Sequence, residues 1–225
     1  MRTSGKPPAV ACRRLASPLP GVDLWLMRLD IGTAALRELQ AWLSPQECRR
    51  AERLRDLADR RRFVAAHGLL RAILAGYLRL HPSAVALRRS RQGKPQLASS
   101  ARLQFNLAHA GSRALCALSR HWNVGVDIES AARVLDPARL ARRFLSDPEQ
   151  KDLARRPARQ QRRAFLACWT RKEAVAKAFG LGLAMPFDSF DAGPDTGGLL
   201  RIRPQAGINP LAVRVAPVAL GRHCG

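Results

Sequence analysis

Apolar and polar residues alternate over Val22 to Leu29 (VDLWLMRL), the pattern of a strand with one face turned to a core. Before it, residues 1–20 mix Pro7, Pro8, Pro18 and Pro20 with arginines and read as a loose arm. After it the period lengthens. Ser44-Pro45-Gln46-Glu47 resembles a helix N-cap with proline at the first helical position, and Arg49 to Asp59 continues as a polar helix. Phe63, Leu70, Leu74 and Tyr77 recur near helical spacing within Arg60 to Leu80, which predicts a long amphipathic helix ended by His81-Pro82. Beyond it the elements shorten. Val85 to Arg88, Leu103 to Asn106, Ala114 to Ser119 and Asn123 to Ile128 are strand-like, with Gly93-Lys94-Pro95 as a turn between the first two. Helices return at Leu135 to Phe144, at Ser146-Asp147-Pro148-Glu149 and over Arg162 to Phe179, which Gly180 is placed to stop. Phe187 to Phe190, Leu199 to Arg203 and Leu211 to Pro217 read as closing strands.

The pattern is that of an α+β protein, mixed α/β in content. The order strand, helices, strands occurs twice and points to a pseudo-twofold arrangement of two similar subdomains, each a small antiparallel sheet packed with a long helix. Their spans are 21–120 and 121–225, behind the arm at 1–20. With 225 residues, 47% of them hydrophobic, the chain is able to bury a genuine core. No run approaches the roughly 18 to 20 apolar residues of a membrane span, and the N-terminus lacks the apolar centre of a signal peptide, so a cytoplasmic protein is expected. Five cysteines, odd in number and widely spread without a C-x-x-C, suggest reduced thiols instead of a disulfide framework or a zinc site.

Charge changes the picture in one respect. A net charge of +22 ordinarily raises nucleic-acid binding. Here the cations are scattered along the whole chain, one tyrosine supplies little stacking surface, and no nucleic-acid-binding motif is present, so no nucleic-acid partner is expected. Only five of the 39 basic residues are lysines. Where arginine is the default cation each lysine is informative, because a compact ammonium and a planar guanidinium differ in reach and acidity. Carboxylates are also sparse: none lies between Asp59 and Asp127, and Glu173 is alone between Asp152 and Asp188.

Those isolated acids fall in segments that look buried. In Gly125-Val126-Asp127-Ile128-Glu129, strand alternation aims Asp127 and Glu129 to one face and Val126 and Ile128 to the other. Paired carboxylates repel unless a cation stabilises them, and hard oxygens in a pair suit Mg²⁺; strand-end acids held by nearby arginines are the alternative. In Phe165 to Gly180 (FLACWTRKEAVAKAFG), Trp169, Glu173 and Lys177 fall at i, i+4 and i+8 on one helix edge. Glu173 and Lys177 form either an ordinary helix pair or a general base beside a cation for developing phosphate charge. Lys94 in its turn is a solvated lysine or a phosphate contact, and His109 just past a strand is a satisfied loop histidine or a donor to a phosphate oxygen.

The series G-K-P, F-N-L-x-H, G-V-D-I-E and W-x-x-K-E-A-x-x-K-x-x-G-x-G-L, in this order over roughly Ser44 to Phe190, resembles that of the 4′-phosphopantetheinyl transferases. Chain length is similar to the larger, monomeric, pseudo-twofold type that activates surfactin synthetase. The resemblance implies transfer of the phosphopantetheine arm of coenzyme A to a serine of an acidic apo carrier protein (acyl, polyketide or peptidyl), with release of 3′,5′-ADP. It implies Mg²⁺, with Mn²⁺ as an alternative ion, on Asp127, Glu129 and Glu173. Glu173 would take the serine proton directly or through a water, and Lys177 would steady or protonate the leaving α-phosphate. Lys94 and Arg62 resemble contacts to the adenosine 3′-phosphate, His109 to the pyrophosphate, Lys172 a basic residue flanking the catalytic glutamate, and Arg50 a looser match from the S-P-x-x-x-x-R segment. Glu149 matches a supporting glutamate. The coenzyme A contacts thus concentrate in 21–120, and the metal and catalytic residues in 121–225. Two departures stand out: Ala108-His109-Ala110 replaces the family's S-H-S, and His67 stands where arginine is frequent.

Overall fold

The computed structural model describes residues 11–90, 92–99, 101–130, 136–192, 198–202, 211–218 and 220. Strands β1 (Cys12–Leu15), β2 (Asp23–Arg28), β5 (Gln104–Ala110) and β6 (Arg113–Ser119) form an antiparallel sheet in the order β1-β2-β6-β5. Its register pairs Leu15 with Leu24, Trp25 with Cys116, and His109 with Ala114. Alternation gives the sheet two apolar faces. Met27, Phe105, Ala114, Cys116 and Leu118 join the main core, whereas Leu24, Leu26, Ala108, Leu115 and Ala117 join a second cluster on the opposite side. A strand pair, β3 (Leu87–Arg89) and β4 (Pro95–Leu97), turns through Gly93 at φ +84°.

Helices α1 (Thr33–Ala41), α2 (Pro45–Glu52) and α3 (Leu57–Leu78) belong to the first half. Gly68 lets α3 approach α1, since a Cβ there would stand 2.6 Å from Leu39 Cβ. Ser44 and Glu47 cap α2 reciprocally. The Glu47 carboxylate also pairs with buried Arg71 at 2.8 Å and meets His67 Nδ1 at 3.2 Å. Burial alone would raise its pKa; His67, the Ser44 backbone and Arg71 hold it at about 2. Arg71 in turn donates to Pro82 O and Val85 O, so His67 and Glu47 belong to a structural network inside this half.

The second half carries α4 (Pro137–Phe144), α5 (Asp147–Arg155), α6 (Ala158–Phe179), and the paired strands β7 (Gly198–Ile202) and β8 (Leu211–Val215). Both long helices, α3 and α6, are 22 residues, and each lies against an antiparallel sheet, as the mixed α/β reading expects. Phe144, Phe165, Trp169, Phe187 and Phe190 interlock beside α6.

Several expected boundaries move. The polar helix stops at Glu52, and Asp56, whose carboxylate accepts from Asp59 N at 2.8 Å, starts α3 three residues early. Residues 12–15, placed in the arm, form the edge strand β1, whose exposed Arg13 and Arg14 hide the alternation. Asn123 to Ile128 has no ladder partner among the described residues, and Phe187–Ser189 is a 3-10 turn. Described residues Cys12, Cys48, Cys116 and Cys168 are free thiols, and burial pushes Cys12 and Cys168 up to about 12. Cys224 lies outside the described residues. No described helix is long and apolar enough to cross a membrane.

Candidate active site

The site is made where the unpaired extended segment following β6 crosses α6. Val124 and Val126 are buried in the second apolar cluster against Leu24, Leu26 and Leu115, with Ile128 packed on it. The intervening residues therefore face α6. Gly125 makes this possible: a Cβ there would lie 1.9 Å from Ala174 O and 2.4 Å from Ala178 N, so no other residue permits the contact. On the sheet side, buried Asn106 accepts from Val126 N at 2.9 Å. The alternation read from the sequence thus survives without a strand ladder, because apolar packing on one side and a helix on the other replace it.

This crossing sets Asp127 against the Glu173–Lys177 edge of α6. Lys177 Nζ donates to Asp127 Oδ1 and lies 3.9 Å from Glu173 Oε2. Asp127 Oδ2 is buried and has no hydrogen-bond partner among the described residues. Burial pushes the Asp127 carboxyl up to about 6; Lys177 opposes this by charge and hydrogen bond, while nearby Glu173 and Glu129 add to it. A buried anionic oxygen without a partner, among further carboxylates, is the donor chemistry of a hard cation such as Mg²⁺, which takes one or two carboxylates together with water and substrate oxygens. Among the described residues, no three His, Cys, Asp or Glu side chains are grouped as a ready-made cage.

The other expected contacts divide. His109 sits within β5, not past it, on the sheet face toward α3. Desolvation lowers its pKa, as do the charges of His67 and Lys177, with Asp59 opposing, so the neutral imidazole is favoured and the ring lies within reach of Lys177's field. Ala108, one residue earlier, is 5% exposed in the second apolar cluster. A hydroxyl there would enter the core, which accounts for alanine at this position. Arg50 lies over the Phe63 ring at 5.4 Å and lines a concave surface with Gln46, Arg49, Arg53 and Arg89. Arg62 pairs with Asp30 at 3.1 Å and Asp59 at 3.9 Å.

Two lysines make contacts that the sequence pattern does not reveal. Lys172 is fully buried; it pairs with Glu149 at 2.7 Å and donates to Phe187 O at 2.6 Å and to Phe190 O. Beside Glu173 in the sequence, it turns to the buried face of α6 and tethers the 3-10 turn. Lys94 directs its ammonium to Lys177 O at 2.6 Å and Val124 O at 3.3 Å. Asn106 and Gly125 were not singled out as site-building residues, whereas Glu149, the partner of Lys172, was expected to be a supporting glutamate. Glycine between two valines in an alternating run was the one visible signal of close approach.

The comparisons with known proteins accord with this geometry. Residues 123–223 match the model of the 4′-phosphopantetheinyl transferase superfamily, and residues 33–121 that of the 4′-phosphopantetheinyl transferase N-terminal region. The chain is 39% identical over 166 residues to the 4′-phosphopantetheinyl transferase HetI of Nostoc sp. strain PCC 7120, covering 72% of this chain and 70% of that protein. It is 32% identical over 157 residues to the 4′-phosphopantetheinyl transferase psf-1 of Bacillus pumilus (70% and 66% covered) and 28% identical over 150 residues to Sfp of Bacillus subtilis strain 168 (67% and 66% covered).

Proposed function

Because the chain belongs to the 4′-phosphopantetheinyl transferase superfamily and is an enzyme of that activity, we propose that it uses Mg²⁺ and coenzyme A to modify a serine of an apo carrier protein. The observation that carries this reading is the convergence of Asp127, Glu173 and Lys177, with one buried Asp127 oxygen lacking a partner among the described residues. Asp127, Glu129 and Glu173 would hold Mg²⁺, which when bound neutralises the pyrophosphate of coenzyme A.

The chain's own groups account for the rest of the step. The serine oxygen forms a bond to the phosphorus bearing the pantetheine arm, and the bond from that phosphorus to the bridging oxygen breaks. Glu173 accepts the serine proton, and Lys177 donates to the phosphate of departing 3′,5′-ADP. Positioning and charge neutralisation are most of what phosphoryl-type displacement asks of a protein. His109, in neutral form, donates toward the pyrophosphate. Arg50, with its arginine neighbours, receives the adenosine 3′-phosphate, and Arg62 exchanges an exposed carboxylate for phosphate oxygen. A monomer of net charge +22 draws an acidic carrier electrostatically, an effect that fades with salt.

Incubation with coenzyme A, Mg²⁺ and an apo carrier adds one phosphopantetheine mass to the carrier. No mass gain across fatty-acid, polyketide and peptide carriers refutes the reading.

A further inference from the structure

Lys94 leaves the β3–β4 turn and reaches the end of α6, where a Cβ built on Gly180 would lie 3.8 Å from Lys94 Cδ. There its ammonium donates to Lys177 O at 2.6 Å and to Val124 O at 3.3 Å. Lys177 O is one of the last carbonyls of α6, where intrahelical partners run out and the helix dipole favours a cation. Val124 O opens the segment that carries Asp127 and Glu129. One half-buried ammonium therefore joins the two stretches of chain whose spacing sets the distance from Asp127 to Glu173 and Lys177. Asn106 holds the same segment from the sheet side through Val126 N.

We infer that Lys94 is a positioning residue for the transfer reaction, clamping the Val124–Glu129 segment to the C-terminal turn of α6, and not a contact to the adenosine 3′-phosphate. Lysine suits this task, since a compact ammonium with three rotatable donors fits between two carbonyls where a planar guanidinium would not. Desolvation lowers the Lys94 pKa, and the two carbonyl oxygens replace the water it gives up.

The kinetic part of the test rests on the transfer reading above; the exchange part does not. Lys94→Met and wild type are compared with coenzyme A and with 3′-dephospho-coenzyme A. A clamp predicts kcat down by roughly 10- to 100-fold, the scale of a small misplacement of reacting groups, with KM for coenzyme A within about threefold. It also predicts the same fold penalty for removing the 3′-phosphate in variant and wild type. Collapse of that penalty in Lys94→Met, or an unchanged kcat, overturns the inference. Hydrogen exchange of the free protein provides the independent arm: peptides over 123–129 and the last turn of α6 exchange about tenfold faster in the variant, while α3 is unchanged. Unchanged exchange at 123–129 overturns the clamp. If wild type transfers nothing to any carrier, the transfer reading falls and exchange alone decides the clamp. Should Lys94→Met fail to fold, Lys94→Gln, which keeps an amide donor, is put to the same comparisons.

Discussion

Asp127→Asn replaces a buried carboxyl by a neutral amide of the same shape, and the surroundings of Asp127 set what this does to stability. The side chain is 7% exposed, and its pKa is pushed from 3.8 up to about 6, by burial first and by Glu173 and Glu129 after the attraction of Lys177 is counted. A carboxyl whose pKa is higher in the folded state binds its proton more tightly there than in the unfolded chain. Its contribution is therefore intact below 3.8 and is lost as pH rises through about 6. Above that range the loss is worth about 3 kcal/mol for a group this buried. Asparagine never ionises and escapes it. In buffer containing a chelator, urea unfolding followed by tryptophan fluorescence is expected to give equal stability for wild type and Asp127→Asn near about pH 4. The curves then separate, with the variant about 2–3 kcal/mol more stable at about pH 8, or roughly 2–4 °C in Tm per kcal/mol for a chain of this length. Added Mg²⁺ raises the Tm of wild type and leaves the variant unmoved, because only a ligand that binds the folded state stabilises it. Equal stability at every pH, or a wild type that is more stable at the alkaline end, refutes the assignment of Asp127 as a strained buried acid.

Gly125→Ala drives a methyl into the α6 backbone, so the acidic segment shifts; transfer falls by roughly 100-fold or more while far-UV circular dichroism is retained, and normal turnover would show the contact to be dispensable. Glu173→Gln keeps size and fold but removes the proton acceptor: transfer in the mass assay disappears with the Tm nearly unchanged, and appreciable turnover excludes Glu173 as the base. Lys172→Met strands the Glu149 carboxylate, which is 12% exposed, and costs about 3–5 kcal/mol of stability. Adding Glu149→Gln to it recovers part of that loss in urea unfolding, whereas a single variant within about 1 kcal/mol of wild type contradicts a structural ion pair.

What the sequence made legible follows from the range over which each signal acts. Helix α3 was readable from Phe63, Leu70, Leu74 and Tyr77, and α5 from its Ser146 start, because periodicity and caps are local. The Glu173–Lys177 pair was readable for the same reason. Strand β1 was not, since an edge strand buries only Leu15 among its four residues. Asn123 to Ile128 is the alternating, half-buried segment expected, but it forms no ladder among the described residues. Alternation reports two faces and not a hydrogen-bonded neighbour, and here Gly125 gives one face to a helix backbone. The meeting of Asp127 with Lys177 spans fifty positions and rests on that glycine, on Asn106 and on apolar packing, none of which a local pattern encodes.

The scarcity of lysine turned out to be a sound signal carrying more than one meaning. Each of the three motif lysines meets a set of acceptors that converge on a point, the arrangement a compact ammonium satisfies and a planar fork does not. Around Lys172 the acceptors are Glu149 and the carbonyls of Phe187 and Phe190, which match its three donors in a site with no exposure. For Lys94 they are the carbonyls of Val124 and Lys177. For Lys177, 27% exposed, they are the carboxylates of Asp127 and Glu173, where the proposed reading has the ammonium trade a carboxylate for a substrate phosphate. Lysine is thus kept in an arginine-rich chain where the acceptors are point-like, and what distinguishes Lys177 from the other two is that its acceptors are the two carboxylates of the proposed site.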